Sequence, residues 1–546
     1  MGGELLAWFP HGATPRPAQA RLLAELAEAF DDVQRDDHAP CVFLVEAPPG
    51  VGKSHVAMTV ARWSGNAYLL TSQKLLQDQY EREFGSDIHV VKGRENYHCE
   101  RYPTTRVSTA QGLCRRRRGP PCQCPYVRAK AAARAGAIFC ANTAYFLTLR
   151  QWRREQLERR RVLIVDEAHT LESQLASVFT LAVSREQMRA WFGAELPHHD
   201  AADDYRDVLA DHRVRLEAEI ALLDQELDAF EMPAGPETFL TMPPSPRELD
   251  LLSRRDTAEQ LLARLTFFLD SPAQEWVVRH RDGGAGLELM PLSVAPMAAQ
   301  LLFDAADVVV LSSAYLGHPG GVADCFGLQR DHVRTFSAPS PFSLGRRPIV
   351  YRPAGRLSRA TLEELEPAVF AEVGRILARH RAEKGLIHVP SYAAADRLMR
   401  DVAATAPLEH RRLMLIESAA AKPRALEVHR TSRLPTVLVS PSLREGVDLP
   451  DDELRFQIIT KIPYPDLGDP WVAARQKRDP RWYAIETAKA LVQAYGRACR
   501  HADDHGVTYI LDGQFKSFLA HYRPLLPSWF LDAAHDAFLE HKRAGG

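Results

Sequence analysis

No apolar run in this 546-residue chain approaches the ~20 residues that a bilayer-spanning helix needs, which argues against a helical membrane protein. No apolar stretch follows a basic start at the N-terminus, where Glu4 stands instead, so no secretory signal is expected and a cytoplasmic setting is. Net charge is also scarce, at −2 from 68 Lys and Arg against 70 Asp and Glu, and taken whole it gives no hint of a polyanion partner. Cysteine is sparse at 8 residues, yet Cys99, Cys114, Cys122 and Cys124 crowd into one window. In a cytoplasmic chain such crowding favours metal or cluster binding over disulfides.

What is present is the make-up of a globular protein, 46% hydrophobic and 25% charged, long enough for three or four domains at about 150 residues each. The small net charge hides an asymmetry. Lys92 to Arg161 carries 17 Lys and Arg against 4 Asp and Glu, whereas Leu171 to Met232 carries 5 against 14. A basic block beside an acidic one suits a polyanion path with a repelling surface elsewhere. Arg115, Arg116, Arg117, Arg118 and the run from Arg150 to Arg161 are the expected phosphate contacts.

The chain is organised around Glu46-Ala-Pro-Pro-Gly-Val-Gly-Lys-Ser54, between a buried-strand pattern at Cys41–Val45 and a helical pattern with Val56, Val60 and Trp63. Strand, glycine loop, Lys-Ser and helix in that order make a triphosphate seat. The backbone of Pro49, Gly50, Val51 and Gly52 would face the phosphates, Lys53 would reach the β and γ groups, and Ser54 could ligate Mg²⁺. Upstream, Gln19 has an amide that can both donate to and accept from an adenine edge, favouring ATP. Downstream, Ala67–Thr71 reads as a strand and Ser72–Tyr80 as a helix, so that Thr71 and Ser72 offer a seat for a nucleic-acid phosphate.

The cysteine-bearing segment, Lys92 to Tyr126, has no apolar periodicity and needs something other than a core to hold it. An iron–sulfur cluster would serve, with zinc as the rival, although the intervening spacings of 14, 7 and 1 residues match no paired zinc knuckle. Cys140, in the strand-like run Ala137–Ala141, reads as a core residue. A strand at Arg161–Val165 then ends in Asp166-Glu167-Ala168-His169. A carboxylate there can anchor Mg²⁺ and its neighbour can activate water, which with Lys53 makes a triphosphate hydrolase. Leu216, Ile220, Leu223 and Leu227, then Leu262, Leu265 and Leu269, predict two long antiparallel helices. Glu275–Leu292 predicts a hairpin turning at Asp282-Gly283-Gly284.

After a buried strand at Asp307–Leu311 comes a second series of strands, at 385–389, 413–416, 436–439, 456–460 and 508–511, which predicts a second parallel sheet without a phosphate loop. It carries Glu445-Gly-Val-Asp448 and, on a helix, Gln493 with Arg497 and Arg500, two arginines on one face that could act as fingers on the first sheet's triphosphate.

Gln19, Gly50-x-Gly-Lys-Ser54, Asp166-Glu-Ala-His169, Ser313-Ala-Tyr-Leu316, Ser391-Tyr392, Glu445-Gly-Val-Asp448 and Gln493-x-x-Gly-Arg-x-x-Arg500 stand in the order of superfamily 2 helicase motifs. Lys92-Gly-Arg-x-Asn-Tyr-x-Cys99, Cys124-Pro-Tyr126 and Lys461-Ile-Pro-Tyr-Pro465 are similar to the iron–sulfur XPD/DinG branch in particular. The resemblance implies an α/β fold of two RecA-like motor domains. The first would comprise residues 1–90, 137–172 and 275–337, with an iron–sulfur insert at 91–136 and a helical arch at 173–274; the second would run over 338–546. It implies ATP-driven 5′→3′ movement on single-stranded DNA, with Lys53 and Ser54 on phosphate and Mg²⁺, Asp166 on Mg²⁺ and Glu167 on the water. Gln493, Arg497 and Arg500 would reach the γ-phosphate, Glu445 and Asp448 would link it to nucleotide state and DNA, and Cys99, Cys114, Cys122 and Cys124 would hold a [4Fe–4S] cluster, with Cys140 in reserve.

Two departures stand out, Tyr315 where the wider superfamily has Thr, and the tight Cys122-x-Cys124 pair. The leading reading is a monomeric DNA helicase of repair or replication-conflict type acting on single-stranded and forked DNA, with R-loops and D-loops as further candidate structures. The alternative is a DNA-stimulated ATPase that remodels nucleoprotein within a larger complex. A nuclease is disfavoured, since nothing outside the motor and inserts supplies a further carboxylate cluster.

Overall fold

The computed structural model describes residues 5–33, 41–100, 102, 107–112, 123–152, 157–193, 198–230, 245–281, 286–418, 420–441, 449–497 and 503–534. Short apolar runs rich in Val, Ile and Leu, buried on both faces, form the strands of two parallel sheets. The first sheet uses β1 (Cys41–Glu46), β2 (Ala67–Thr71), β3 (His89–Val90), β4 (Ile138–Asn142) and β5 (Arg160–Asp166). It also takes β9 (Ala306–Ser313) and β10 (Val333–Ser337), in the order β10-β1-β9-β5-β2-β4-β3. Val42, Leu44, Leu70, Leu163 and Leu311 pack on one face, and Phe43, Val45, Leu69, Ile164 and Val310 on the other, the period-2 alternation of a strand covered on both sides.

The second sheet is formed by β11 (Ile349–Tyr351), β12 (Gly385–His388), β13 (Leu413–Leu415), β14 (Val437–Ser440), β15 (Phe456–Ile459) and β16 (Val507–Ile510), in the order β11-β16-β15-β12-β14-β13. All its pairings are parallel. The fold is therefore the expected pair of doubly covered parallel sheets. Among the described residues, no helix is long and apolar enough to cross a membrane.

A third layer differs from expectation. The two long helices form, at Arg206–Asp228 and Pro246–Asp270, and the hairpin forms as β7 (Trp276–Arg281) and β8 (Gly286–Pro291). A strand that sequence patterning missed, β6 (Leu181–Val183), joins them in an antiparallel β6-β8-β7 sheet. Leu181, Leu287 and Leu289 share a core with Leu216, Leu261, Leu265 and Phe268 of the helices. The hairpin thus packs with the helical insert through Leu287 and Leu289, while Val277 and Met290 pack against the core of the first sheet, so it touches both units on either side of the expected border at 274.

Candidate active site

The strands of the first sheet stop level with one another. Glu46 of β1 pairs with Ser313 of β9, and Asp166 of β5 with Ser312, so the three chain ends open on one crevice at the carboxyl edge of the sheet, where parallel sheets take ligands. After Glu46 the chain turns through Gly50 and Gly52, at φ +80° and +89°, conformations that cost an L side chain ~1–2 kcal/mol. Gly52 starts the helix Lys53–Ser64, whose unpaired N–H groups face the crevice. Arg16 donates to the Gly50 carbonyl, and Gln19 Nε2 to the Gly52 carbonyl at 3.2 Å. A Cβ on Gly52 would overlap that amide. Gly52→Ala is therefore expected to weaken ATP binding at least about tenfold, measured by titration with a non-hydrolysable analogue. Undiminished affinity would sink this account of the loop.

At the end of β5, Asp166 accepts from Tyr80 at 2.9 Å, and the Tyr80 hydroxyl also interacts with Ser54. Burial, then the neighbouring Glu167 charge, pushes the Asp166 carboxyl up to about 6. Glu167 itself takes φ +54°, the left-handed region, which a residue other than glycine adopts where surroundings impose it, commonly at functional sites. The turn brings its carboxylate to 3.6 Å from Lys53 Nζ and 3.2 Å from His169 Nδ1. Burial would raise the Glu167 carboxyl; the Lys53 ammonium, then His169 and the Arg497 charge, overturn that and hold it below the usual carboxylate range. A hard divalent cation wants oxygen donors. The Ser54 hydroxyl and Asp166 carboxylate, joined through one tyrosine, are a fitting set.

The second sheet completes the cleft. Its helix Pro480–Tyr495 ends at Gln493, Gly496 and Arg497. Gln493 Nε2 lies 3.4 Å from Ser313 Oγ and 3.3 Å from His169 Nδ1, and the latter two are 2.9 Å apart. A Cβ on Gly496 would come within 2.6 Å of Pro49 Cγ, so only glycine allows this close approach to the phosphate loop. Phe9, Arg16, Lys53, Glu167, Gln493 and Arg497 are among the residues lining the resulting cavity of about 460 Å³.

Behind it, Glu46 accepts from the Leu316 backbone N–H at 2.8 Å. Its carboxyl is pushed up to about 7 by burial, against the pull of the Leu316 and Gly317 N–H groups and Lys489. The folded protein therefore holds a proton there that the unfolded chain has lost, and stability falls as pH rises from about 4.5 to about 7, by roughly 3 kcal/mol. Glu46→Gln is expected to flatten that slope in urea titrations at pH 5 and pH 8, and an unchanged slope would refute it.

Several expected residues are placed otherwise. Gln19 is buried, and its amide is engaged by the Arg16 N–H at 2.8 Å and the Gly52 carbonyl, so it braces the loop while it also lines the cleft. The Val51 side chain packs in the core beneath the loop, leaving its backbone to the site. Thr71 is fully buried, with its hydroxyl donating to the Gln73 carbonyl at 3.2 Å, and cannot seat a phosphate. Ser72 does line the cleft, although the helix opens at Lys74.

Part of the basic block is likewise structural. Arg150 is buried on the carbonyls of Gln300 and Leu301. Arg160 is buried on those of Ala67, Ala133, Arg134, Gly136 and Ala137. Arg159 pairs with Asp307, and Arg161 lies over the Trp63 ring. Arg115, Arg116, Arg117, Arg118, Cys114, Cys122, Glu445, Asp448 and Arg500 lie outside the described residues.

Cys99 and Cys124 are both buried. Among the described residues, Cys99 shares a small cluster with Tyr102 and Val107. Cys140 packs with Leu69 and Ile164 on one face of the first sheet while Cys124 packs on the other. Its thiol is pushed up to about 12 by burial, so the reserve ligand falls away.

Sequence reasoning missed what joins the two motors. Tyr315 inserts into the core of the second sheet beside Tyr495 and Phe530, and its hydroxyl donates to the Leu525 carbonyl. Glu172, two residues beyond the helix-opening Thr170, accepts from Arg475 at 2.6 Å and from Trp482 Nε1 at 2.9 Å, all three being buried. The only signal in the sequence was the Tyr in place of Thr at 315.

Two family models match this chain, the type III restriction enzyme res subunit over residues 12–192 and the helicase C-terminal domain over residues 375–533. The ATP-dependent helicase DinG of Mycobacterium tuberculosis is 28% identical over 284 residues, covering 47% of this chain and 40% of that protein. The 3′-5′ exonuclease DinG of Bacillus subtilis is 25% identical over 276 residues, 47% of this chain and 29% of that protein. The matches thus span less than half the length of these relatives. A solved structure titled XPD_Helicase superposes with a TM-score of 0.62 at 14% identity, covering 94% of this chain and 98% of that one, which shows a shared fold. With family models matched at both ends, relatives of the DinG type and the fold shared throughout, this chain is similar to the XPD/DinG-like helicases of superfamily 2.

Proposed function

We propose that this protein is an ATP-dependent DNA helicase that moves 5′→3′ along single-stranded DNA and separates duplex strands. The observation that carries the proposal is one cavity lined by both sheets, with Lys53, Asp166 and Glu167 from the first and Gln493 and Arg497 from the second. Lys53 and the loop N–H groups bind the triphosphate, Ser54 and Asp166 are the residues to hold Mg²⁺, and Glu167, kept ionised by Lys53, takes the proton of the attacking water. Arg497, with Arg500, meets the γ-phosphate from across the cleft, and Glu445 and Asp448 relay nucleotide state. Loss of that phosphate removes their partner and opens the cleft, and alternate gripping of the backbone turns each cycle into a step. Contacts from Ser72 and Arg115–Arg118 to DNA phosphates make binding salt-dependent.

Cys99, Cys114, Cys122 and Cys124 are the residues to hold a [4Fe–4S] cluster, which would supply a four-thiolate cross-link to their segment. The test is ATP-dependent strand separation on duplexes with a 5′ or a 3′ single-stranded tail, with Lys53→Ala as control. Unwinding of the 5′-tailed duplex alone, lost in the control, is the expected result. DNA-stimulated ATPase without unwinding of either would favour a nucleoprotein-remodelling ATPase instead.

A further inference from the structure

Outside the residues that line the nucleotide cleft, the insert brings His198, Asp200 and His280 together, with ligand atoms all within 4.8 Å of one another. His198 and Asp200 sit on the segment that leads into the helix Arg206–Asp228, and His280 on β7. We propose that these three side chains bind a first-row divalent cation, zinc being the occupant that fits best. The inference stands independently of the helicase reading.

Three observations support it. First, His280 Nε2 lies 3.1 Å from the His199 carbonyl oxygen. A carbonyl can only accept, so Nε2 carries the hydrogen and Nδ1 keeps its lone pair for a metal, the arrangement in which metal-binding imidazoles are usually held. Second, the backbone that carries the other two ligands is fixed between them. The His199 N–H donates to the Tyr205 hydroxyl at 2.9 Å, and that hydroxyl donates back to the His199 carbonyl at 3.3 Å, while the Tyr205 ring is buried. Third, the His198 and His280 rings stack with centroids 3.5 Å apart and planes 19° from parallel, which keeps two imidazoles side by side.

Two nitrogens and one carboxylate oxygen suit zinc, cobalt or nickel rather than magnesium or calcium, which prefer all-oxygen shells. Tetrahedral zinc with bonds of ~2.0–2.1 Å needs ligand atoms about 3.3 Å apart, so the set must contract. His198 and Asp200 are exposed and free to turn inward, unstacking the rings as His198 swings its nitrogen toward the ion. Water takes the fourth position. The balance of 14 acidic against 5 basic residues over Leu171–Met232 further favours cations at this surface.

The experiment is a Co²⁺ titration of the full-length protein followed by visible absorption, with Zn²⁺ as competitor. One equivalent of tetrahedral Co²⁺ is expected, without a thiolate charge-transfer band and displaced by Zn²⁺. His198→Ala changes an exposed side chain and should weaken binding at least about tenfold, and Tyr205→Phe should weaken it by roughly tenfold through loss of the outer hydrogen bonds. Circular dichroism establishes that each variant is folded. Co²⁺ binding of equal affinity in wild type and His198→Ala, or a spectrum carried by a thiolate band and abolished by Cys124→Ser, would overturn the proposal.

Discussion

A Glu167→Gln protein is expected to bind ATP with little change and to hydrolyse it about 10²–10⁴-fold more slowly. The substitution keeps the shape of the side chain and its reach toward Lys53 Nζ at 3.6 Å, but removes the negative charge that accepts a proton from water. The unusual backbone at φ +54° aims that carboxylate into the cleft instead of along the strand, and ordering it there costs ~1–3 kcal/mol that the surrounding contacts must supply. A purely structural role for Glu167 would lower nucleotide affinity and turnover together. A base loses turnover alone, so single-turnover hydrolysis alongside analogue binding separates the two. Full turnover in Glu167→Gln would remove Glu167 from the chemistry.

The second large effect is expected at Glu172. Truncation to alanine leaves the Arg475 guanidinium and the Trp482 N–H buried without their acceptor. Arg475 is only 7% exposed, and its Nε already has no hydrogen-bond partner among the described residues. Breaking one partner from a buried ion pair costs about 3–5 kcal/mol, mostly because the other charge stays behind in low dielectric. Since Glu172 belongs to the first motor and Arg475 and Trp482 to the second, the loss falls on their junction. The expected outcome is a lower urea midpoint together with weaker stimulation of ATPase by single-stranded DNA. The cycle Glu172→Ala, Arg475→Ala and the double variant checks the pairing, because strictly additive effects would mean that the two residues do not act through each other.

How much of this was legible beforehand follows from the physics of each element. The phosphate loop, the Asp166-Glu167 strand end and most strands of the second sheet were readable because a strand covered on both faces is a continuous apolar run, bounded by glycine or polar residues. Strands β3, β6, β10 and β11 were not, being short and at the edges of their sheets, where half-exposed residues such as Arg334 and Thr335 leave no pattern. Charge counting misled at Arg150 and Arg160. Composition cannot distinguish an arginine aimed at a phosphate from one whose guanidinium gathers five backbone carbonyls, as Arg160 does. Gln19 carries a role that residue type does not reveal, since its position in the chain gives no sign that Gly52 lies against it. Residues that meet only through the junction of the two sheets, such as Glu172 with Arg475, carry no local signature at all.

The insert is rooted in the first motor through both ends of its chain, yet it also holds the second. Arg279 on β7 pairs with Asp469, the Trp471 indole N–H donates to the Pro291 carbonyl at 3.0 Å, and Glu275 pairs with Arg478 at 2.8 Å. If the two motors move relative to one another in the proposed cycle, a body fastened to both would behave as a strut. Opening of the nucleotide cleft would then tilt it, stretch it or unhook one end, and the ion pairs at Asp469 and Arg478, both partly exposed, are the contacts that water reaches. A small motion at the cleft would then be carried into the insert, whose helices Arg206–Asp228 and Pro246–Asp270 are long enough to act as levers.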